Sequence, residues 1–209
     1  MQIAIVLYPG FTALDAVGPY EVLHLMPDAE VCFVGHEVGP VLADSGILSI
    51  TATKSFDEIT APDIVPGELN RHRDRDERPH TPAVAQAGSR HHHMDYLSVH
   101  RGLGSRRRRH PARTTGHYTL DDAVALADVG AQSRPDDRIV HAGKVVTAAG
   151  VSSGIDFALW LAAEIHGHER ARMIQLAIEY DPRPPFDSGH PSKVSAEFLE
   201  QTLAQMVPK

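Results

Sequence analysis

Residues 2–8 read QIAIVLY, a near-continuous apolar stretch without the polar alternation of a strand that has one face in water. Such a strand needs cover on both faces, the setting of a mainly parallel sheet flanked by helices. Pro9-Gly10 breaks the run. Thr12 to Leu25 then places Leu14, Val17, Val22, Leu23 and Leu25 as a rough helical stripe, with Thr12 as its N-cap. A buried strand leading directly into a helix predicts an α/β protein.

The following segments keep to that pattern. Glu30 to Val34 (EVCFV) predicts a second strand. Gly39 to Thr51 carries two short apolar pieces around Asp44-Ser45-Gly46, the signature of a hairpin. Asp63 to Val65 starts another buried strand, halted by Pro66-Gly67. Much later, Arg138 to His141 and Lys144 to Ala148 flank Ala142-Gly143 as a second hairpin. Gly154 to His166 predicts a strong helix with Ile155, Ala158, Leu159, Ala162 and Ile165 along one side, and Ser153 with Asp156 resembles a capping box. A helix over about Glu169 to Tyr180, a Pro-rich extended strip from Asp181 to Pro191 and a terminal helix from Ser195 to Met206 complete the order. The expectation is one α/β sandwich over residues 1–209.

Between the two ordered stretches lies a segment of another kind. Glu68 to Tyr118 spans 51 residues with eleven Arg, no Lys and five acidic residues, a charge of +6 against −13 for the rest of the chain. Only 12 of its residues are hydrophobic, and none is Ile, Phe or Trp. On its own, that composition cannot bury enough apolar surface to offset chain entropy. The whole chain carries a net charge of −7, which argues against a generally nucleic-acid-binding surface. No apolar run approaches the roughly 18 residues of a membrane span, and the N-terminus reads as a strand and not a signal peptide. One cysteine, Cys32, excludes an internal disulfide framework and a cysteine-based zinc site, and suits the cytoplasm.

Few residues carry a chemical signal. His91, His92 and His93 are adjacent and share no single face of a helix or strand, so no metal site is expected there. Arg106 to Arg109 lack the aromatic interleaving of a nucleic-acid surface. Cys32 lies inside an apolar strand, where a thiol is usually inert packing. Asp15 sits on the first helix just after the first strand. Either it is a surface helix residue, or it points over the C-terminal edge of the sheet, where α/β sites lie.

Four motifs in order carry a family resemblance: YPGFTALDAVGPYEVL (8–23), GPVLADSGILSITATKSF (39–56), GKVVTAAGVSSGIDFALWLAAEI (143–165) and IQLAIEYDPRPPFDSGHPSK (174–193). They closely resemble the ThiJ/PfpI superfamily, and within it the isonitrile-hydratase branch. The resemblance covers roughly residues 1–67 and 125–195. It implies a flavodoxin-like α/β sandwich, usually a homodimer, with no cofactor and a small-molecule substrate. It also implies a nucleophilic cysteine on a sharp elbow in a Ser-Val-Cys-Thr-Gly context. That elbow follows a Pro-Gly-Gly oxyanion loop, and a first-helix carboxylate bonds near the thiol. Asp15 matches the carboxylate, and Pro66-Gly67 matches the start of the oxyanion loop. The turn from Gly150 through Ser152 and Ser153 to Gly154 is expected to line the pocket. Its other reading is simply the start of a tightly packed helix. No residue of the 68–120 stretch matches the elbow cysteine.

A shifted reading frame accounts for that gap. Back-translated with GC-rich codons and read from the second base, His91 to Arg101 becomes Thr-Thr-Thr-Trp-Thr-Thr-Ser-Val-Cys-Thr, the missing elbow. The tryptophan is forced by Met94-Asp95, and the cysteine follows if Val99 is encoded GTG. The same shift turns Thr114 to Leu120 into a stretch ending Ala-Thr-Thr-His-Trp and the residues after Gly67 into a Gly-Ser-Ser-Thr-Gly-Thr-Ala loop. Residues 68–120 are therefore expected to be translated out of frame. The alternative is a genuinely diverged insertion. Two functions remain open: a cysteine-dependent hydratase of isonitriles that lacks its nucleophile as written, or a non-catalytic ligand-sensing domain of the same fold.

Overall fold

The first strand is covered on both faces, as its composition demands. In the computed structural model, β1 (Gln2–Val6) pairs in parallel with β2 (Glu30–Gly35), from Gln2 opposite Glu30 to Val6 opposite Val34. β2 pairs in parallel with the short β5 (Lys54–Ser55) on its other edge. On the free side of β1, residues 64–66 run alongside it. The Ala4 N–H donates to the Ile64 carbonyl at 2.9 Å and the Val6 N–H to the Pro66 carbonyl at 3.0 Å. Ile5 and Leu7 pack with Phe11 and Ala52, whereas Ala4 points the other way, toward Ile59 and Val65.

The structure describes residues 1–67, 95–96, 115–116, 132–134, 136–142 and 145–206. His91 to His93 and Arg106 to Arg109 lie outside them, as does nearly all of the 68–120 stretch. The chain forms two compact units, Met1–Ile178 and Glu179–Lys209.

In the first unit both expected hairpins are present. β3 (Gly39–Leu42) pairs antiparallel with β4 (Ser49–Ala52), and β9 (Ile139–Ala142) with β10 (Val145–Ala148). Three two-residue strands go beyond the sequence reading: β6 (Asp95–Tyr96), β7 (Thr115–Gly116) and β8 (Gln132–Ser133). β6 lies parallel to β10, and β7 parallel to β8.

The helices are α1 (Ala13–Leu23), α2 (Ser153–His166) and α3 (His168–Ala177), with α4 (Ala196–Met206) in the second unit. The largest core cluster joins Ile3, Val146, Leu23, Phe157, Leu161 and Ile174, so strands and helices share one apolar interior. The expected capping box at α2 does not form. Ser152 is the N-cap residue, and the Ser153 hydroxyl, 1% exposed, donates back to the Gly150 carbonyl. Asp156, the expected partner, instead takes Arg138.

The second unit has a different character. It runs through an extended strip, a 3-10 turn at Pro191–Lys193 and α4, where the Ser195 hydroxyl accepts from the Phe198 N–H at 3.2 Å. No described side chain in it is buried.

Candidate functional site

The chemistry-bearing residues of the first unit gather where parallel strands end. β1 ends at Val6, and residues 64–66 end beside it at Pro66. At Gly67 a Cβ would stand 3.1 Å from the Val6 Cβ, so this residue passes against β1 with no room for a side chain. The loop after β1 is held by the Leu7 N–H donating to Val34 at 2.8 Å and the Gly10 N–H donating to Leu42 at 2.8 Å. It delivers α1 at the C-terminal edge of the sheet, the edge on which α/β folds build sites.

Asp15 lies in the first turn of α1 and is only 5% exposed. Of the two readings of this residue, the surface one is thereby excluded. Its backbone N–H donates to the Thr12 carbonyl at 3.0 Å. Thr12 is the N-cap residue, as expected, but its hydroxyl makes no cap bond and instead donates to Asp44 at 3.3 Å. Pro19, inside the helix, cannot donate to the Asp15 carbonyl one turn back.

Gly18 and Pro19 follow Asp15 by three and four positions and so share its face. That face meets the start of α2 at very short range. A Cβ on Gly18 would lie 3.1 Å from the Ile155 Cγ1, and one on Gly154 would lie 3.2 Å from the Pro19 Cγ. Only glycine permits the two helices to approach so closely. The helix face that carries Asp15 is therefore packed on the first turn of α2.

The turn that leads into α2 follows β10. Gly150 has φ +53°, the left-handed region that favours glycine. Ser153 is buried, with its hydroxyl on the Gly150 carbonyl. Ser152 is exposed, and its hydroxyl accepts from the Arg138 Nη2 at 3.4 Å. Arg138 also donates from Nε to the Asp156 Oδ2 at 2.6 Å. Of the expected site residues, Asp15 lies on the α1 face whose Gly18 and Pro19 meet Gly154 and Ile155, just after the Gly150–Ser153 turn, and Pro66 and Gly67 lie beside the end of β1. Arg138 was not among the residues singled out. Nothing local links it to Asp156, 18 positions later.

Cys32 sits within β2, half-buried, with its thiol directed to the Ile3 carbonyl at 3.6 Å. Burial pushes the thiol pKa up, and the carboxylate of Glu30 adds to the rise, against a smaller lowering by Lys54. A thiol so placed is poorly ionised and faces a strand, not the sheet edge. Among the described residues, no cluster of His, Cys, Asp or Glu could hold a metal ion, and no helix is long and apolar enough to cross a membrane.

Comparison with known proteins agrees with this geometry. No family model matches the chain. Isonitrile hydratase of Pseudomonas putida is 32% identical over 211 residues, which cover 100% of this chain and 91% of the relative. The crystal structure of a ThiJ/PfpI family protein from Pseudomonas syringae superposes with a TM-score of 0.76 at 25% identity, covering 97% of this chain and 86% of that one. The DJ-1beta protein of Drosophila melanogaster has a TM-score of 0.68 at 14% identity, over 87% of this chain and 98% of that one, and so shares the fold. The architecture is thus the flavodoxin-like α/β sandwich that the motifs implied, and the chain belongs to the ThiJ/PfpI superfamily.

Proposed function

We propose that this fold serves hydratase-type chemistry on a small isonitrile, with Asp15 as the proton-transfer group, and that the chain in its present frame binds without turning over. The observation that carries the reading is the buried carboxylate of Asp15 at the C-terminal sheet edge, together with the full-length likeness to an isonitrile hydratase. In the complete reaction a thiolate adds to the terminal carbon of the isonitrile, and Asp15 delivers the proton that makes this carbon a thioimidate C–H. Water then adds to the same carbon and the thiol leaves, so that one water is consumed and an N-substituted formamide released. Backbone N–H groups beyond Pro66-Gly67 would stabilise the developing charge.

The sole cysteine, Cys32, is unsuited to the first step by position and by its raised pKa. The shifted-frame reading supplies a cysteine at codon 99. That codon lies three positions after Asp95–Tyr96, which pair in parallel with β10. In the present frame the second function, ligand sensing without catalysis, is favoured by the placement of the Cys32 thiol.

Incubation of the purified chain with cyclohexyl isocyanide should yield no formamide, while a gene restored to the other frame across codons 68–120 should yield it. Turnover by the present chain would overturn the need for the elbow cysteine. Inactivity of the restored enzyme would favour the sensing role. Sequencing the gene across codons 60–125 tests the frame directly, and peptide masses that confirm the present sequence would make the stretch a genuine insertion.

A further inference from the structure

The strand-to-helix turn that leads into α2 is held from outside by one side chain. Arg138 stands just before β9 and grips both ends of the turn. Its carbonyl accepts the Ala149 N–H at 3.0 Å, at the point where β10 gives way to the turn. Its guanidinium reaches the far end, donating from Nε to Asp156 at 2.6 Å and pairing with the same carboxylate oxygen through Nη2. Nη2 also reaches the Ser152 hydroxyl at 3.4 Å. Ser152 and Asp156 lie one helical turn apart, so the guanidinium spans the first turn of α2 from its solvent side. On the opposite side, that first turn carries the Gly154 and Ile155 contacts with Pro19 and Gly18.

We propose that Arg138 is a positioning residue that sets the Gly150–Ser153 wall of the site against Asp15 by clamping Ser152 and Asp156; this rests on the reading of Asp15 as the reactive carboxylate. The pair is half-exposed, and such ion pairs add little to global stability. Its effect is local. A planar fork bridges two acceptors in one geometry, whereas a lysine ammonium meets only one of them well. Releasing it leaves the first turn of α2 held by the Gly150 turn, the glycine contacts and the core packing of Ile155 and Phe157. The shift is passed to the Asp15 face because those contacts leave no slack.

Arg138→Ala, Arg138→Lys, Asp156→Ala and the double alanine variant of the full chain test this by NMR. In ligand-free protein, both single alanine variants should move the Asp15 carboxyl carbon signal as well as the Gly150–Gly154 amides. The double variant should move them no further than either single one, and Arg138→Lys should restore part of the shift. Melting temperatures, nearly unchanged, separate this from loss of fold. Titration with cyclohexyl isocyanide should show binding weakened about three- to tenfold in Arg138→Ala, the scale of coupled contacts. Shifts confined to the neighbours of residues 138, 152 and 156, with the Asp15 signal unmoved, would overturn the proposal. So would full additivity of the two alanine substitutions. If the unaltered chain does not bind the isocyanide, the substrate reading fails, and Arg138 is then judged on the ligand-free spectra alone.

Discussion

β1 and α4 each carry several apolar residues and meet opposite fates. β1 buries Ile3, Ala4 and Ile5 completely and touches core on both faces. α4 leaves Phe198 51% exposed and lies in a unit where Phe186 is 77% exposed and no described side chain is buried. The difference is one of partners and not of composition. A strand inside a parallel sheet is enclosed by elements that arrive from elsewhere in the chain, whereas a short helix after a Pro-rich strip must find a surface or stay wet. The proposed chemistry belongs to the enclosed unit, where Asp15 is only 5% exposed.

That contrast can be broken experimentally. The largest effect is expected from Ile3→Ala, which removes a fully buried side chain shared by the sheet and α2 and should cost about 2–5 kcal/mol in urea denaturation. Gly154→Val should cost about 1–3 kcal/mol by forcing side-chain atoms into the Pro19 ring, and should disturb the Asp15 signals as well. Phe198→Ala, on the exposed helix, should change stability by about 0.5 kcal/mol or less. A loss as large as that of Ile3→Ala would show α4 to be covered in solution, and the contrast would collapse.

The smallest effect belongs to Glu58, an exposed residue of the enclosed unit. Its carboxylate accepts the Ser55 N–H at 2.7 Å, and that bond lowers its pKa, with a lesser contribution from Lys54. A lowered carboxylate pKa stabilises the fold above the unfolded value, and this contribution fades as pH falls through the folded one. Glu58→Gln should therefore be slightly less stable than the parent at pH 7, and the difference should shrink as pH falls through the folded-state pKa, as read by paired thermal melts.

Much of the scaffold was legible in the residues. The unbroken apolar run at residues 2–8 required two-sided cover, and the two hairpins followed from turn residues between short apolar pieces. Asp15 was visible as a carboxylate after the first strand, but its burial depends on the contact of Gly18 and Pro19 with Gly154 and Ile155, some 136 positions away. No local pattern encodes such a contact. The Ser153–Asp156 spacing suggested a cap. The cap gave way because Gly150 adopts a left-handed turn whose carbonyl captures the Ser153 hydroxyl, while Arg138 captures Asp156. The exposure of α4 was equally illegible, since its apolar residues at helical spacing read like those of a buried helix.

The close fit of Gly67 against Val6 marks a seam in the molecule. Residues 64–66 just upstream of it are bonded to β1, and the family-like motifs break off there until about residue 125. A gene edited across codons 68–120 would therefore leave the contacts up to Gly67 unchanged. For a repair experiment, the two products are then closely matched: identical on both sides of the edit, and exchanged only across it.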